Sequence, residues 1–291
     1  MTTGADPLAA ARAQAVPRVP FLVEGQRVGS VATAHVERLA AWGHWVGLDA
    51  AGGEAVTQVR LEVPRATRDE ALATMNAALH EDGLIRAWRD EPFSLFHPAD
   101  GRVLATFERA STRFWGTLTL GAHANGFVAD AAGRPTHLWI ARRAWNKATD
   151  PGCLDNLIGG GVPHGQTPLE TVVREGWEEA GLTPAQMQRL ATGRVIELDR
   201  DVPEGRQFER LHVYDLELDA SVVPANQDGE VAQIMRVDVE EAAHVALSGQ
   251  MTVDAALVTL DFLLRRDVLP GPQRRALAPR LESLLWSARS T

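Results

Sequence analysis

Hydrophobic positions in this chain recur every second residue in some stretches and every third or fourth in others, which separates half-buried strands from amphipathic helices. Val59, Leu61 and Val63 alternate with polar neighbours and predict a strand. Residues 21–31 read as a short hairpin turning at Glu24-Gly25-Gln26, and residues 32–42 as a helix. Thr67 and Glu70 have the S/T-x-x-E spacing of a capping box, which predicts a helix running to about Leu79. These elements make a small α+β domain over residues 21–115. Residues 1–20, rich in Ala and Pro, are expected to form a flexible N-terminus.

A second domain is expected over residues 116–291. Leu118 and Leu120 lead into an apolar stretch at 123–128, followed by a turn at 130–134 and a strand at 136–142. Further strands are predicted at 195–198, 211–218 and 231–239, and helices at 254–265 and 273–286, the last two separated by Pro270-Gly271-Pro272. A mixed sheet lying between helices accounts for this order.

The strongest helix signal begins at Thr167. Thr167 and Glu170 form another capping-box pair, Pro168 takes the first helical position, and Gly181 supplies a stop. At about 100° per residue, Leu169, Val172, Val173, Gly176, Trp177 and Ala180 form one apolar stripe, so Trp177 is expected to pack in the core. Arg174, Glu175 and Glu178 point away from that stripe, and Glu179 lies at its border. Residues three and four apart are neighbours on a helix, so the acids crowd one another. A solvated helix face would show the same spacing. The glycines at 159–161 just before the cap shift the reading, because glycine admits close backbone approach. Crowded carboxylates beside such a segment suit a hard cation, which typically takes one or two carboxylates together with phosphate oxygens.

The segment resembles the Nudix box, G-x5-E-x7-R-E-U-x-E-E-x-G-U, where U is a bulky apolar residue. Gly160, Arg174, Glu175, Glu178, Glu179, Gly181 and Leu182 fall on its positions, while Gln166 replaces the first glutamate and Gly176 the apolar residue. His123-Ala124-Asn125-Gly126-Phe127-Val128, Leu138-Trp139-Ile140-Ala141-Arg142-Arg143, Lys147, Pro151-Gly152, Leu154-Asp155 and Asp228-Gly229-Glu230-Val231 further resemble the Nudix proteins related to the N-terminal half of fungal thiamine pyrophosphokinase. That resemblance implies a Nudix α/β/α sandwich with a mixed sheet, preceded by a small α+β domain of obscure role. It also implies a Mg²⁺-dependent (or Mn²⁺-dependent) pyrophosphohydrolase acting on a nucleoside-like or thiamine-type diphosphate.

Site roles follow from the same resemblance. Glu178 and Glu179 would ligate the metal, with the Gly159 carbonyl as a backbone ligand. Glu175 would ligate or orient, Arg174 would hold the carboxylates, and Glu230 would serve as a further ligand or general base. Arg142, Arg143 and Lys147 are candidate diphosphate clamps, though a basic run is commonly a solvated face. His123 and Asn125 could read the organic part of a substrate, or simply be satisfied core polar groups. A diphosphate-binding or regulatory protein with a weakened box, and a diphosphate isomerase, are alternatives.

Composition narrows the setting. A net charge of −9 over 291 residues argues against a nucleic-acid surface. The single Cys153 excludes an internal disulfide, and no apolar run is long enough to span a membrane. A small-molecule diphosphate is the expected partner, the cytoplasm the expected location, and homodimers, common among Nudix proteins, remain open.

Overall fold

A computed structural model describes residues 6–51 and 55–287. The N-terminal domain is a four-stranded sheet in the order β2-β1-β4-β3, built from β1 (Arg18–Val23), β2 (Gln26–Ala32), β3 (Val46–Ala51) and β4 (Ala55–Leu61). The hairpin expected at Glu24-Gly25 joins β1 to β2, and both residues take positive φ there. The helix expected over 32–42 is instead one α-turn, α2 (Val36–Leu39), between two tighter 3-10 turns. Helix α3 (Arg68–Glu81) covers this core with Leu72, Met75 and Leu79. Its expected capping box does not form. Thr67 makes no cap bond; its hydroxyl donates to the Pro64 carbonyl instead. A hairpin, β5 (Pro92–Phe96) and β6 (Val103–Glu108), and the short α4 (Ser111–Trp115) complete the domain. Trp115 is fully buried, and its indole N–H donates to Asn76 at 2.8 Å.

The second domain is organised by β7 (Leu118–Ala129). Along one side β7 pairs in parallel with β12 (Gly205–Glu217). Its other side is shared: residues 121–124 pair with β10 (Ile158–Gly161), and residues 126–129 with β8 (Pro135–Arg143). The short β9 (Leu154–Asn156) runs beside β8. Strand β11 (Leu190–Val202) forms one edge of the sheet and β13 (Val231–Asp238) the other, giving the order β11-β12-β7-β8-β13. Gly126 allows the splay, because a Cβ there would lie 2.2 Å from the Leu157 side chain.

Both faces are covered, as the period-two burial of β12 requires. Leu211 and Val213 face α7 (Val239–Leu247), α8 (Val253–Arg265) and α9 (Gly271–Glu282), while Tyr214 and Leu216 face α5 (Pro168–Ala180) and α6 (Pro184–Met187). The expected α/β/α sandwich with a mixed sheet and a preceding α+β domain is the observed fold.

The flexible segment expected at 1–20 departs from this picture. Residues 1–5 lie outside the described residues, but α1 (Pro7–Ala10) docks on α8 through Leu8, with Ala11 buried beside it. From there the backbone follows β11. Asp199 N–H donates to Ala11 O at 2.9 Å, Asp201 N–H donates to Ala13 O at 2.8 Å, and the Asp201 carboxylate accepts from Ala15 and Val16. Leu284 O and Trp286 N–H bond the same strand at Glu197 and Val195. Residues 7–16 thus make long-range backbone contacts that composition does not reveal.

Trp115→Ala is expected to destabilise the chain by about 3–5 kcal/mol, the usual cost of emptying a buried aromatic site. Urea denaturation followed by far-UV dichroism measures it. A loss under about 1 kcal/mol would mean that this core collapses around the gap.

Candidate active site

Helix α5 begins as its sequence dictates. Thr167 accepts from the Glu170 amide while the Glu170 carboxylate accepts from the Thr167 amide at 2.8 Å, and Gly181 ends the helix at φ 63°. The buried face differs from the apolar stripe. Val172, Gly176 and Ala180 are buried, but Leu169, Val173 and Trp177 face outward, Trp177 with 53% of its surface exposed. The sequence reading set Trp177 in the core. The structure turns Glu175 and Glu179 inward instead, because β10 offers them a floor without side chains.

That floor explains the glycines. Residues 159–161 form a regular strand and take no positive φ, so close approach is what demands glycine here. A Cβ at Gly160 would lie 2.4 Å from a Glu175 carboxylate oxygen, and one at Gly161 2.8 Å from the Phe93 ring. Gly159 N–H donates to Glu179 Oε2 at 2.8 Å.

Electrostatics at this face are unbalanced. Burial pushes the Glu179 carboxyl well above the usual range, the neighbouring Glu175 adds to the rise, and the Gly159 amide only partly opposes it. Burial also raises Glu175, against the pull of Arg174. Arg174 donates to Glu175 at 2.7 Å and to Glu178 at 2.5 Å, as expected of a holder of the carboxylates. Gln166 Oε1 accepts from the Thr171 hydroxyl at 3.0 Å and from Arg174 Nε at 3.5 Å. Gln166 therefore braces Arg174.

Among the described residues, no three His, Cys, Asp or Glu side chains stand as a ready-made metal cluster. The donor chemistry nonetheless fits a hard dication. Two inward carboxylates whose charge is disfavoured, with Glu178 three residues from one of them and next to the other, gain most from a positive ion.

Glu230 reaches this region from the loop before β13. Its carboxylate pairs with Lys147, and its own carbonyl accepts from the Ala144 amide at 2.9 Å. Burial alone would raise Glu230, but Lys147, with Arg89 and Arg109 beyond it, brings it below the ordinary value.

The other candidates divide. His123 bonds Asn156 at 3.0 Å through Nδ1, lies under Gly159, and lines a cavity of about 380 Å³. Asn125 lies deeper, bonded to Asp215 and to the Val258 carbonyl, and takes no part in that cavity. Arg142 donates to the Gly152 carbonyl at 2.8 Å, also away from the cavity. Arg143 lines it, but its guanidinium is spent on the Asp150 and Thr149 carbonyls and on Asp155 at 2.9 Å. It holds the 149–155 loop in place rather than standing free for a phosphate. Cys153 is half-buried and its thiol is raised by burial, which suits a packing residue.

The cavity also has walls that the sequence reading missed. The N-terminal domain supplies Arg89, Phe93, Arg109 and Arg113, and the second domain adds Asp150, Asp254, Glu209 and Arg200, with Glu209 3.9 Å from Arg113. These residues come from loops, strands and two helices of both domains, in no periodic pattern.

Comparison with known proteins shows the family. The NUDIX domain profile matches residues 119–257, and the profile of a Domain of unknown function (DUF4743) matches residues 8–119. The chain is 32% identical to Nudix hydrolase 24, chloroplastic, of Arabidopsis thaliana over 86% of its own length and 68% of that protein. It is 33% identical to Nudix hydrolase 20, chloroplastic, of the same plant, over 85% of its own length and 67% of that protein. An uncharacterized protein of Saccharomyces cerevisiae is 32% identical over 62% of the chain and 56% of that protein. A fold with a buried carboxylate helix on a glycine strand, and relatives of this extent, define the class. The chain belongs to the Nudix hydrolase family and is a hydrolase of phosphoanhydride bonds.

The raised Glu179 makes a signed prediction. In its protonated form it favours folding, so that contribution is complete below the unfolded value of about 4.5 and is lost as pH rises through the higher folded value. In chelator-treated protein, Tm is therefore expected to fall as pH rises above about 4.5, and Glu179→Gln to flatten the slope and melt higher at neutral pH. Differential scanning calorimetry across pH tests this; a variant with the parent slope would show that Glu179 titrates normally.

Proposed function

We propose that this protein is a Mg²⁺-dependent pyrophosphohydrolase, with Mn²⁺ able to substitute, that cleaves a thiamine-type diphosphate to the monophosphate and phosphate. The observation that carries the reading is the inward-turned pair Glu175 and Glu179 against the glycine strand, whose residues 159–161 also line a cavity that holds both arginines and carboxylates. Glu175, Glu178 and Glu179 are the residues to hold the ion, which when bound would neutralise charge on the phosphate oxygens and lower the pKa of an attacking water. Arg174 keeps Glu175 and Glu178 from swinging apart, and Gln166 keeps Arg174 in place. Of the acids, Glu175 has the raised basicity that a proton acceptor needs. Glu230 is held ionised by Lys147 and suits charge stabilisation better than proton transfer.

The thiamine-type substrate is supported by the chemistry of side chains that line the cavity. A positively charged thiazolium and a hydrogen-bond-donating aminopyrimidine match Asp150, Asp254 and Glu209, with Phe93 as an apolar surface. Of the residues that carry the resemblance to the thiamine pyrophosphokinase relatives, His123, Arg143, Pro151 and Asp155 line this space. A cytoplasmic setting belongs to the same proposal; among the described residues no helix is long and apolar enough to cross a membrane.

Glu178→Gln and Glu179→Gln should each lower kcat by on the order of a hundredfold while keeping the fold, since each removes a charge from the ion site and Gln is nearly as good a helix former as Glu. Malachite-green phosphate assays at saturating Mg²⁺ check this, and wild-type turnover in either variant would move the ion site elsewhere.

The substrate reading is checked separately, with thiamine diphosphate or its oxy analogue expected to show higher kcat/KM than ADP-ribose. The reverse order would retire the thiamine-type assignment. Binding of diphosphates without phosphate release, with or without Mg²⁺, would favour a non-catalytic binding protein.

A further inference from the structure

The N-terminal domain meets the glycine strand directly. The Pro92 carbonyl accepts from the His164 amide at 2.7 Å, and Ser94 bonds the His164 ring at 2.9 Å, so β5 is fastened to the loop that leads into α5. Phe93 and Arg109 then lie against Gly161. Arg109 stacks over the Phe93 ring with its guanidinium 5.3 Å from the ring centre, and its Nη1 donates to Glu91 at 2.8 Å. Its Nη2 would lie 3.2 Å from a Cβ on Gly161, and among the described residues it makes no hydrogen bond.

Arg89 lies beside it and is less compensated. It lines the cavity half-buried, and among the described residues its guanidinium makes neither a hydrogen bond nor an ion pair within 4.0 Å. Burial and the neighbouring Arg109 both disfavour its charge, with Glu230 and Glu91 opposing. Its backbone is nonetheless held in place. The Glu108 carboxylate accepts from the amides of Arg89, Glu91 and Ala110 at 2.9, 3.0 and 3.1 Å, and the flanking Ala87 and Asp90 take left-handed conformations, φ 61° and 58°. In the same cavity Arg200 Nε is buried without a partner. A guanidinium held without an acceptor beside a second one with a free amino group is built for an anion that the chain does not itself supply.

We propose that Arg89 and Arg109 of the N-terminal domain form the phosphate clamp of the hydrolytic site, so that this domain completes the substrate pocket. The proposal rests on the diphosphate hydrolase reading. Arg109 lowers both Glu175 and Glu230, and Arg89 lowers Glu230, so the pair stands near enough to these carboxylates to act on them. A phosphate bound by the guanidinium pair would be held by fork-shaped bidentate bonds, which give orientation as well as attraction.

The test uses the full chain and methylenediphosphonate, a diphosphate that cannot be cleaved, titrated calorimetrically in Mg²⁺, alongside turnover of thiamine diphosphate. Arg89→Gln is expected to weaken diphosphonate binding about tenfold or more, and Arg89→Lys by less. KM should rise by a similar factor with a smaller change in kcat, and Tm should hold because Arg89 has no protein partner to lose. Arg134→Gln, at a 79% exposed side chain on the β7–β8 turn, removes the same charge and should bind as wild type. Wild-type affinity in Arg89→Gln, or no binding by the parent protein, overturns the clamp. Arg89-dependent binding with no turnover of any diphosphate would uphold the clamp and defeat the hydrolase reading instead.

Discussion

Everything at this site depends on burying like charges together. Glu175 and Glu179 turn toward a strand without side chains, and neither burial nor mutual proximity favours their ionised form. A fold does not keep such an arrangement for stability, since burial disfavours both carboxylates and Arg174 and the Gly159 amide only partly offset it. A bound cation would relieve it. Arg89, whose guanidinium has no acceptor among the described residues, lines the cavity beside the same glycine strand.

The second constraint is the forked pairing of β7. By giving half of one side to β10 and half to β8, β7 brings a glycine strand into the middle of the sheet, where α5 can lie over it. It also opens the space that the N-terminal hairpin fills from the other direction through Phe93 and Arg109. The boundary between the two domain profiles, at residue 119, thus runs along the floor of the cavity.

Much of this was legible in the sequence, and the misses have physical causes. The bounds of α5 followed from Thr167, Pro168, Glu170 and Gly181, whose effects are local. The buried face did not, because hydrophobic periodicity assumes that apolar residues go inside. Here Glu179 is inside and Trp177 outside, since Gly159 and Gly160 leave room and an amide for carboxylates. Thr67 had the cap spacing without the cap, because its hydroxyl found the Pro64 carbonyl. Asn125 and Arg142 stood near the right motifs but face other partners, and Arg143 is used to hold a loop. Arg89 and Arg109 were invisible because only tertiary packing brings the loop after α3 and the end of β6 to Gly161.

The segments that run along β11 have a consequence for how the sheet meets other chains. The free N–H and C=O groups of an edge strand are a template for another strand. On β11 those at Val195, Glu197, Asp199 and Asp201 are already taken by residues 11–13 and 284–286, from opposite ends of the described chain. The sheet is therefore sealed on that side against strand addition. Strand β13, which among the described residues pairs only with β8 and is half exposed along its length, is the edge through which it could still be extended.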